Sequence, residues 1–438
     1  MRRMRGGGRR LAVLAGTALC LAASAGRAET LEEAWRTALT RDPALAAAGL
    51  DARAAAENLR AARGARWPTL TAEGSYMRFN EAPAFDIAMP ALRFQSPPLF
   101  DNDDVVTGSV QARLPLYTGG RIAAGVRAAR AGAGAAAASE RQAAAALKLD
   151  VARAYVDVQR AGRALAAAES TVASLTAHVG DVTAKVEQEL VPRSDLLAAQ
   201  VALANAEQSR LRAKNSEDLA WAAYNRLLAE PLDRRATLEP VAAATVAAQS
   251  SEPIEALVRQ AQESRQEIRA LEESGRSLEA QARAEIGRLL PHVGLVGSYN
   301  HLENDFLDRQ DFSMVGIGVQ WNLFDGGQTR HRAAALRHAG RAVSERARDR
   351  RSLVELEVRQ ARLDLDEAEA RIAATRTAVA QAAENLRMVR EQYDVGMAGN
   401  TEVLDAVSLE RTAVTAQDDA AADRVLAGLR LQYATGAL

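Results

Sequence analysis

Apolar and polar side chains alternate between residues 312 and 324. Val315, Ile317, Val319, Trp321 and Leu323 share one parity, and Gly316, Gly318, Gln320 and Asn322 share the other. Successive side chains of a strand point to opposite faces, so the pattern predicts a strand with one apolar face and one polar or glycine face. An earlier stretch repeats it, with Val106, Val110, Ala112, Leu114 and Leu116 against Thr107, Ser109, Gln111 and Arg113. Residues 69–79 and 292–300 read as the upstream partners, which gives hairpins over 69–117 and 291–324. Their lengths approach the roughly 9 to 11 residues of a strand that crosses a bilayer.

The period then changes to seven. Val358, Leu365, Ile372, Val379, Leu386 and Tyr393 fall seven apart, with Ala361, Ala368, Thr375, Ala382 and Val389 as companions. Val151, Val158, Leu165, Val172, Val179 and Val186 do the same earlier, accompanied by Ala154, Ala161, Ala168, Leu175 and Val182. A strict heptad repeat specifies coiled-coil packing. The two segments, 119–189 and 326–394, contain no helix breaker. Each would rise about 105 Å at 1.5 Å per residue. Residues 30–64, 193–229, 254–287 and 401–436 are charged and alanine-rich without strand alternation, and they complete the helical set.

These elements form one plan written twice. Arg66-Trp67-Pro68-Thr69-Leu70 leading to Tyr76 recurs as Leu289-Leu290-Pro291-His292-Val293 leading to Tyr299. Tyr117-Thr118-Gly119-Gly120 recurs as Phe324-Asp325-Gly326-Gly327, and Ser194-Asp195-Leu196-Leu197 as Thr401-Glu402-Val403-Leu404. Self-similarity of this kind is the mark of a duplicated architecture. The organisation is a signal segment at 1–28, a first repeat at 29–230, a linker at 231–253 and a second repeat at 254–438. Gly119, Gly120, Gly326 and Gly327 mark where a strand turns into a long helix. No phosphate-loop lysine or dinucleotide pattern accompanies them.

Composition narrows the function. Met1-Arg-Arg-Met-Arg, the apolar run from Leu11 to Ala23 and the small Ala28 have the order of a secretory signal peptide, with cleavage near Ala28. The only cysteine, Cys20, lies inside it, so a mature chain has neither disulfides nor thiolate chemistry. A net charge of -1, with both signs interspersed, gives no basic excess for nucleic acid. His178, His292, His301, His331 and His338 show no metal-ligand spacing and read as solvated helix residues. No cofactor, metal or catalytic constellation is expected.

Outside the signal no apolar run reaches the length of a spanning helix, so any membrane passage uses the strands. Trp67, Trp321, Tyr117 and Phe324 sit near the helix-side strand ends, where an interfacial aromatic girdle belongs. Four strands per chain cannot close a barrel, and lipid does not tolerate an open edge. Copies must therefore join. Two would give a barrel filled by its own side chains, whereas three give twelve strands and room for a channel. The outer loop from Asn80 to Asp104, with Pro83, Pro90, Pro97 and Pro98, is longer than its counterpart before Phe312.

With these features in order, the chain resembles the TolC-like outer-membrane efflux and secretion proteins from Leu31 to about Gly436. The resemblance rests on Leu31-Glu32-Glu33-Ala34 with Asp42-Pro43, both Gly-Gly junctions, Leu190-Val191-Pro192-Arg193-Ser194-Asp195, and Val395-Gly396 with Glu402-Val403-Leu404-Asp405-Ala406. It implies a fold that is mainly α with a membrane β-barrel portion, a homotrimer forming a 12-stranded barrel on a coiled-coil periplasmic tunnel. It also implies an exit duct, not an enzyme, served by a periplasmic adaptor and an inner-membrane transporter, of a tripartite efflux or type I secretion system. By the same resemblance Asp195, Tyr393, Glu402 and Asp405 match a periplasmic gate, with Tyr393 hydrogen-bonding across it. Leu190, Val191, Gly396 and Met397 match the tips where an adaptor docks. Ala398 stands where relatives carry an arginine, and Glu189 where they carry a turn glycine. A periplasmic adaptor or scaffold would share the coiled coil but would not need two alternating apolar hairpins.

Overall fold

Thr30 starts the first helix by accepting the Glu33 backbone N–H while the Glu33 carboxylate takes that of Thr30, a reciprocal pair satisfying two otherwise free donors. In the computed structural model, residues 28–81, 86–89, 92–95, 104–241, 252–303 and 309–438 are described. Residues 1–27 of the expected signal segment, the middle of the expected 231–253 linker and the prolines of the long outer loop lie outside them.

The elements in chain order are α1 (Leu31–Arg41), α2 (Pro43–Gly64), β1 (Thr69–Arg78), β2 (Asp86–Met89), β3 (Leu92–Gln95), β4 (Asp104–Tyr117), α3 (Arg121–Glu187), α4 (Arg193–Leu227), α5 (Ile254–Ser264), α6 (Gln266–Ile286), β5 (His292–Leu302), β6 (Asp311–Gln320), α7 (Gln328–Asp394) and α8 (Asn400–Ala434). The duplication is exact in length where it matters. Both α3 and α7 have 67 residues, and both α4 and α8 have 35.

Three expectations change. Residues 30–64 and 254–287 are not single helices, because each breaks after 11 residues. At Asp42 the cause is local: Pro43 drives the preceding residue to φ -64°, ψ 122°. Arg265 takes φ -63°, ψ 122° with no proline after it. Secondly, the outer loop contains an additional small antiparallel sheet, β2 with β3. Thirdly, β6 stops at Gln320, leaving Trp321 and Leu323 outside the strand. Its terminal partner is His292, behind Pro291, which has no N–H to extend the ladder.

The chain divides into two compact units, described here in turn. The first comprises Pro43–Ala144 and Val258–Glu357. It holds an antiparallel sheet in the order β1-β4-β5-β6. The two hairpins are thus joined through β4 and β5, a pairing across the repeats that no local pattern announces. Register puts Leu70, Ala72, Val110, Ala112, Leu114, Val293, Leu295, Ile317 and Val319 on one face, and Thr69, Thr71, Gln111, Arg113, Ser298 and Gln320 on the other. Among the helices of this unit, the Ser277 hydroxyl donates to the Ala128 carbonyl at 3.0 Å. Buried Arg265 pairs with Glu267 and, at 2.9 Å, with Glu357, while Arg350 meets both acids at 2.8 and 2.9 Å. This cluster fixes the break that proline fixes in the first repeat.

The second unit comprises Met1–Asp42, Ala145–Leu257 and Val358–Leu438. Heptad positions Val151, Val158, Val182, Val358, Leu365, Leu386 and Tyr393 are buried in it. Glu29 pairs with Leu238 in a parallel bridge, and its carboxylate accepts from the Tyr224 hydroxyl at 2.7 Å and pairs with Arg234 at 2.8 Å. The Tyr155 hydroxyl donates to the carbonyls of Glu29 and Glu239. Burial, reinforced by Glu29, holds both phenols well above the ordinary tyrosine range.

Candidate gate, tips and junctions

Each helical tip turns through one left-handed residue. The Leu190 N–H donates to the Lys185 carbonyl at 2.9 Å and that of Glu189 to Val186 at 3.0 Å. In the second repeat the Met397 N–H donates to Gln392 at 2.8 Å and that of Gly396 to Tyr393 at 3.2 Å. Both are Schellman closures, which satisfy the last helical carbonyls and require one residue at positive φ. Gly396 takes φ 76° at no steric cost, whereas Glu189 takes φ 59° against the preference of its side chain. Leu190 is 68% exposed and Met397 76%, while Val191 is partly covered beside Val182, Ala199 and Val403.

Immediately inside the tips lies the candidate gate. Glu402 and Asp405 are exposed on α8, while Val403, Ala406 and Val407 are buried, so the two acids share the face turned away from the packing. A Cβ on Gly399 would lie 2.7 Å from the Glu402 carboxylate, which folds over the helix start where the free N–H groups favour negative charge. Asp195 occupies the first turn of α4 and is partly buried. Ala398 packs against the cluster of Val182, Ala199, Tyr393 and Val403, an apolar contact.

Tyr393 is buried, and among the described residues its hydroxyl has no hydrogen-bond partner. The expected hydrogen bond across is therefore not made among the described residues. Its ring lies 3.9 Å below the Lys185 ammonium, a cation–π contact, and Lys185 also donates to the Tyr393 carbonyl at 3.1 Å and pairs with Asp394 at 3.3 Å. Burial raises the Tyr393 phenol pKa, with Asp195, Asp181 and Asp394 adding to the shift.

The sequence reading missed a neighbour. His178, taken there for a solvated residue, is 7% exposed, and its Nε2 lies 2.7 Å from Asn400 Oδ1, with its ring 5.4 Å from that of Tyr393. It sits one position before the heptad residue Val179. A helix packed on two sides buries that flanking position as well as the seam.

At the strand-to-helix junctions Gly119, Gly120, Gly326 and Gly327 all have positive φ, between 59° and 80°. A Cβ on Gly119 would fall 2.5 Å from the Gly287 carbonyl and 2.6 Å from Leu290 Cβ, whereas one on Gly326 would meet nothing. Asp325 caps α7 by accepting the N–H groups of Gly327 and Thr329 at 3.0 and 2.9 Å. Along the sheet the apolar face is bare, with Leu70, Ile317 and Val319 each more than 60% exposed. Trp67, Tyr117, Trp321 and Phe324 are exposed at its helix-side end.

The model of the outer membrane efflux protein family matches residues 34–230 and 257–437, which is most of the chain. The chain belongs to that family. It is an outer-membrane exit duct of an efflux system, resident in the outer membrane with a helical portion in the periplasm. Channels of the family combine a helical tunnel with a strand barrel that three copies build together. The fold is similar to that of the outer-membrane channel OprN, at a TM-score of 0.79 and 19% identity over 93% of this chain and 90% of that one. VceC from Vibrio cholerae gives 0.78 at 18% identity, covering 93% and 96%. The open state of MtrE from Neisseria gonorrhoeae gives 0.72 at 19% identity, covering 93% and 88%. No curated protein sequence matches the chain significantly.

Proposed function

We propose that three copies of this duct close a twelve-stranded barrel, that Asp195, Tyr393, Glu402 and Asp405 form its periplasmic gate, and that Leu190, Val191, Gly396 and Met397 receive a periplasmic adaptor coupled to an inner-membrane transporter. The observation that carries the assembly is a four-stranded sheet with a bare apolar face and two edges, β1 and β6, that are unpaired among the described residues. In lipid those edges need partners, and another copy supplies them.

The repeats also supply a register. Within the chain β4 meets β5 with Val110 opposite Tyr299 and Gln111 opposite Ser298. The repeat counterparts of these residues, counted from the Gly-Gly and proline landmarks, are Ile317, Tyr76, Gly318 and Ser75. The seam between copies therefore sets Ile317 opposite Tyr76 and Gly318 opposite Ser75, and brings Gly326 to the Trp67 of the next copy. Paired cysteines at 317 with 76, or at 318 with 75, are expected to trap a covalent trimer on oxidation, because opposed strand residues lie within disulfide reach. A trimer trapped equally well by cysteines at 317 and 70 would refute this register.

The gate reading is supported by carboxylates on one exposed face at the tunnel end of the chain, which threefold symmetry turns into rings. Glu402→Ala with Asp405→Ala is expected to raise conductance or weaken cation block in planar bilayers. Unchanged single-channel behaviour would count against it. The docking reading is supported by exposed Leu190, Val395 and Met397 on otherwise polar tips. A photocrosslinker at 190 or 397 that captures no adaptor would remove it.

A further inference from the structure

Four helices meet at Asn400. It is the first residue of α8 and is 4% exposed. Its Nδ2 donates to the Asp195 carbonyl at 3.1 Å, which ties α8 to the first turn of α4. With the amide nitrogen so engaged, Oδ1 faces His178 on α3 and must be the acceptor, so His178 Nε2 carries the proton and donates across 2.7 Å. The same His178 ring packs on Tyr393, the penultimate residue of α7, and seven residues further along α3 Lys185 clamps the end of that helix through the Tyr393 carbonyl and Asp394. A polar chain thus runs from His178 through Asn400 to Asp195. The His178–Asn400 bond is buried and the Asn400–Asp195 bond partly so. The polar chain ends at the backbone of one proposed gate acid, and starts the helix that bears the other two.

We infer that His178 and Asn400 are positioning residues of the gate, a buried clasp that sets where the first turns of α4 and α8 lie and so where Asp195, Glu402 and Asp405 project. This rests on the gate reading above. Loss of either partner leaves the other polar group buried and unsatisfied, a cost relieved when the helices part and admit water. The clasp therefore favours the packed arrangement of these helix ends over one in which they part.

The test is the closed-state current of the full-length protein in planar bilayers, on variants first shown to migrate as heat-modifiable trimers. His178→Leu and Asn400→Leu are each expected to raise open probability about tenfold, the factor that corresponds to about 1.4 kcal/mol. The double variant is expected to be no more open than either single one, because with both polar groups gone neither is stranded. His178→Gln, which keeps an N–H donor of similar reach, is expected to stay within about twofold of the parent current, a rescue that a merely space-filling role does not produce. A His178→Gln channel as leaky as His178→Leu, additive single effects, or unchanged current in both leucine variants would each overturn the clasp. Glu402→Ala with Asp405→Ala in the same bilayers separates the two readings. If the acid variant is silent while His178→Leu opens the channel, the gate assignment falls and the clasp stands on a constriction elsewhere. If the acid variant alone changes the current, the clasp falls.

Discussion

The two repeats reach the same backbone by different means. At the tips both repeats turn through a left-handed residue with matching hydrogen bonds, yet Gly396 does so freely and Glu189 under strain. At the breaks of the first helical segments Asp42 and Arg265 have nearly the same dihedrals, one imposed by Pro43 and the other by a buried ion cluster. At the junctions Gly119 is packed against Gly287 and Leu290, whereas Gly326 faces open space that a neighbouring copy would fill. A duplicated fold thus preserves geometry while each copy finds its own enforcement, local in one and tertiary or intermolecular in the other.

The largest contrast lies at the helix breaks. Arg265→Ala leaves Arg350 alone to pair with Glu267 and the partly exposed Glu357 and is expected to cost about 3 kcal/mol, whereas Pro43→Ala, which loses only a local constraint, costs less than about 1 kcal/mol. Unfolding midpoints in detergent check both, and equal losses would erase the distinction. Burial pushes the Glu267 carboxyl upward, but Arg265 and Arg350 outweigh it and hold its pKa below the ordinary value. A depressed carboxyl contributes stability above its unfolded pKa and loses it as pH falls through the folded one. The parent midpoint should therefore decline in acid, with a shallower decline in Arg265→Ala.

Next in size are the junction glycines. Gly119→Ala combines positive φ with a backbone clash and is expected to cost about 3 kcal/mol, against about 1 kcal/mol for Gly326→Ala before assembly. In the trimer Gly326→Ala should also weaken the seam, seen as a lower temperature for the gel shift from trimer to monomer. The smallest effect is at the tips. Glu189→Gly relieves the left-handed strain and is expected to gain about 1 kcal/mol, while Gly396→Ala loses about as much, by the same melting measurement.

Much of this was legible in the sequence because it is local or periodic. Alternation located β1, β4, β5 and β6, heptads located α3 and α7, and repeated landmarks located both Gly-Gly junctions. Neither break in the first helical segments was legible: residues 30–64 and 254–287 read as single helices, although Pro43 carries a local signal for the first break, and residues distant in sequence impose the second. The pairing of β4 with β5 was hidden for a related reason: hairpin partners announce themselves by proximity, and strands from different repeats do not. His178 escaped because one histidine beside a heptad seam looks solvated until a second packed helix covers it. The gate acids were legible only as positions, Glu402 and Asp405 three apart on one helix, and their surroundings came from the fold.

The claim beneath all of this is that bare sheet edges on each chain are satisfied only by other copies of it. Native mass spectrometry of the full chain, extracted from outer membranes in mild detergent, measures that directly. Three copies in one particle are expected, whereas single chains that stay folded and dissolved without detergent would contradict the account.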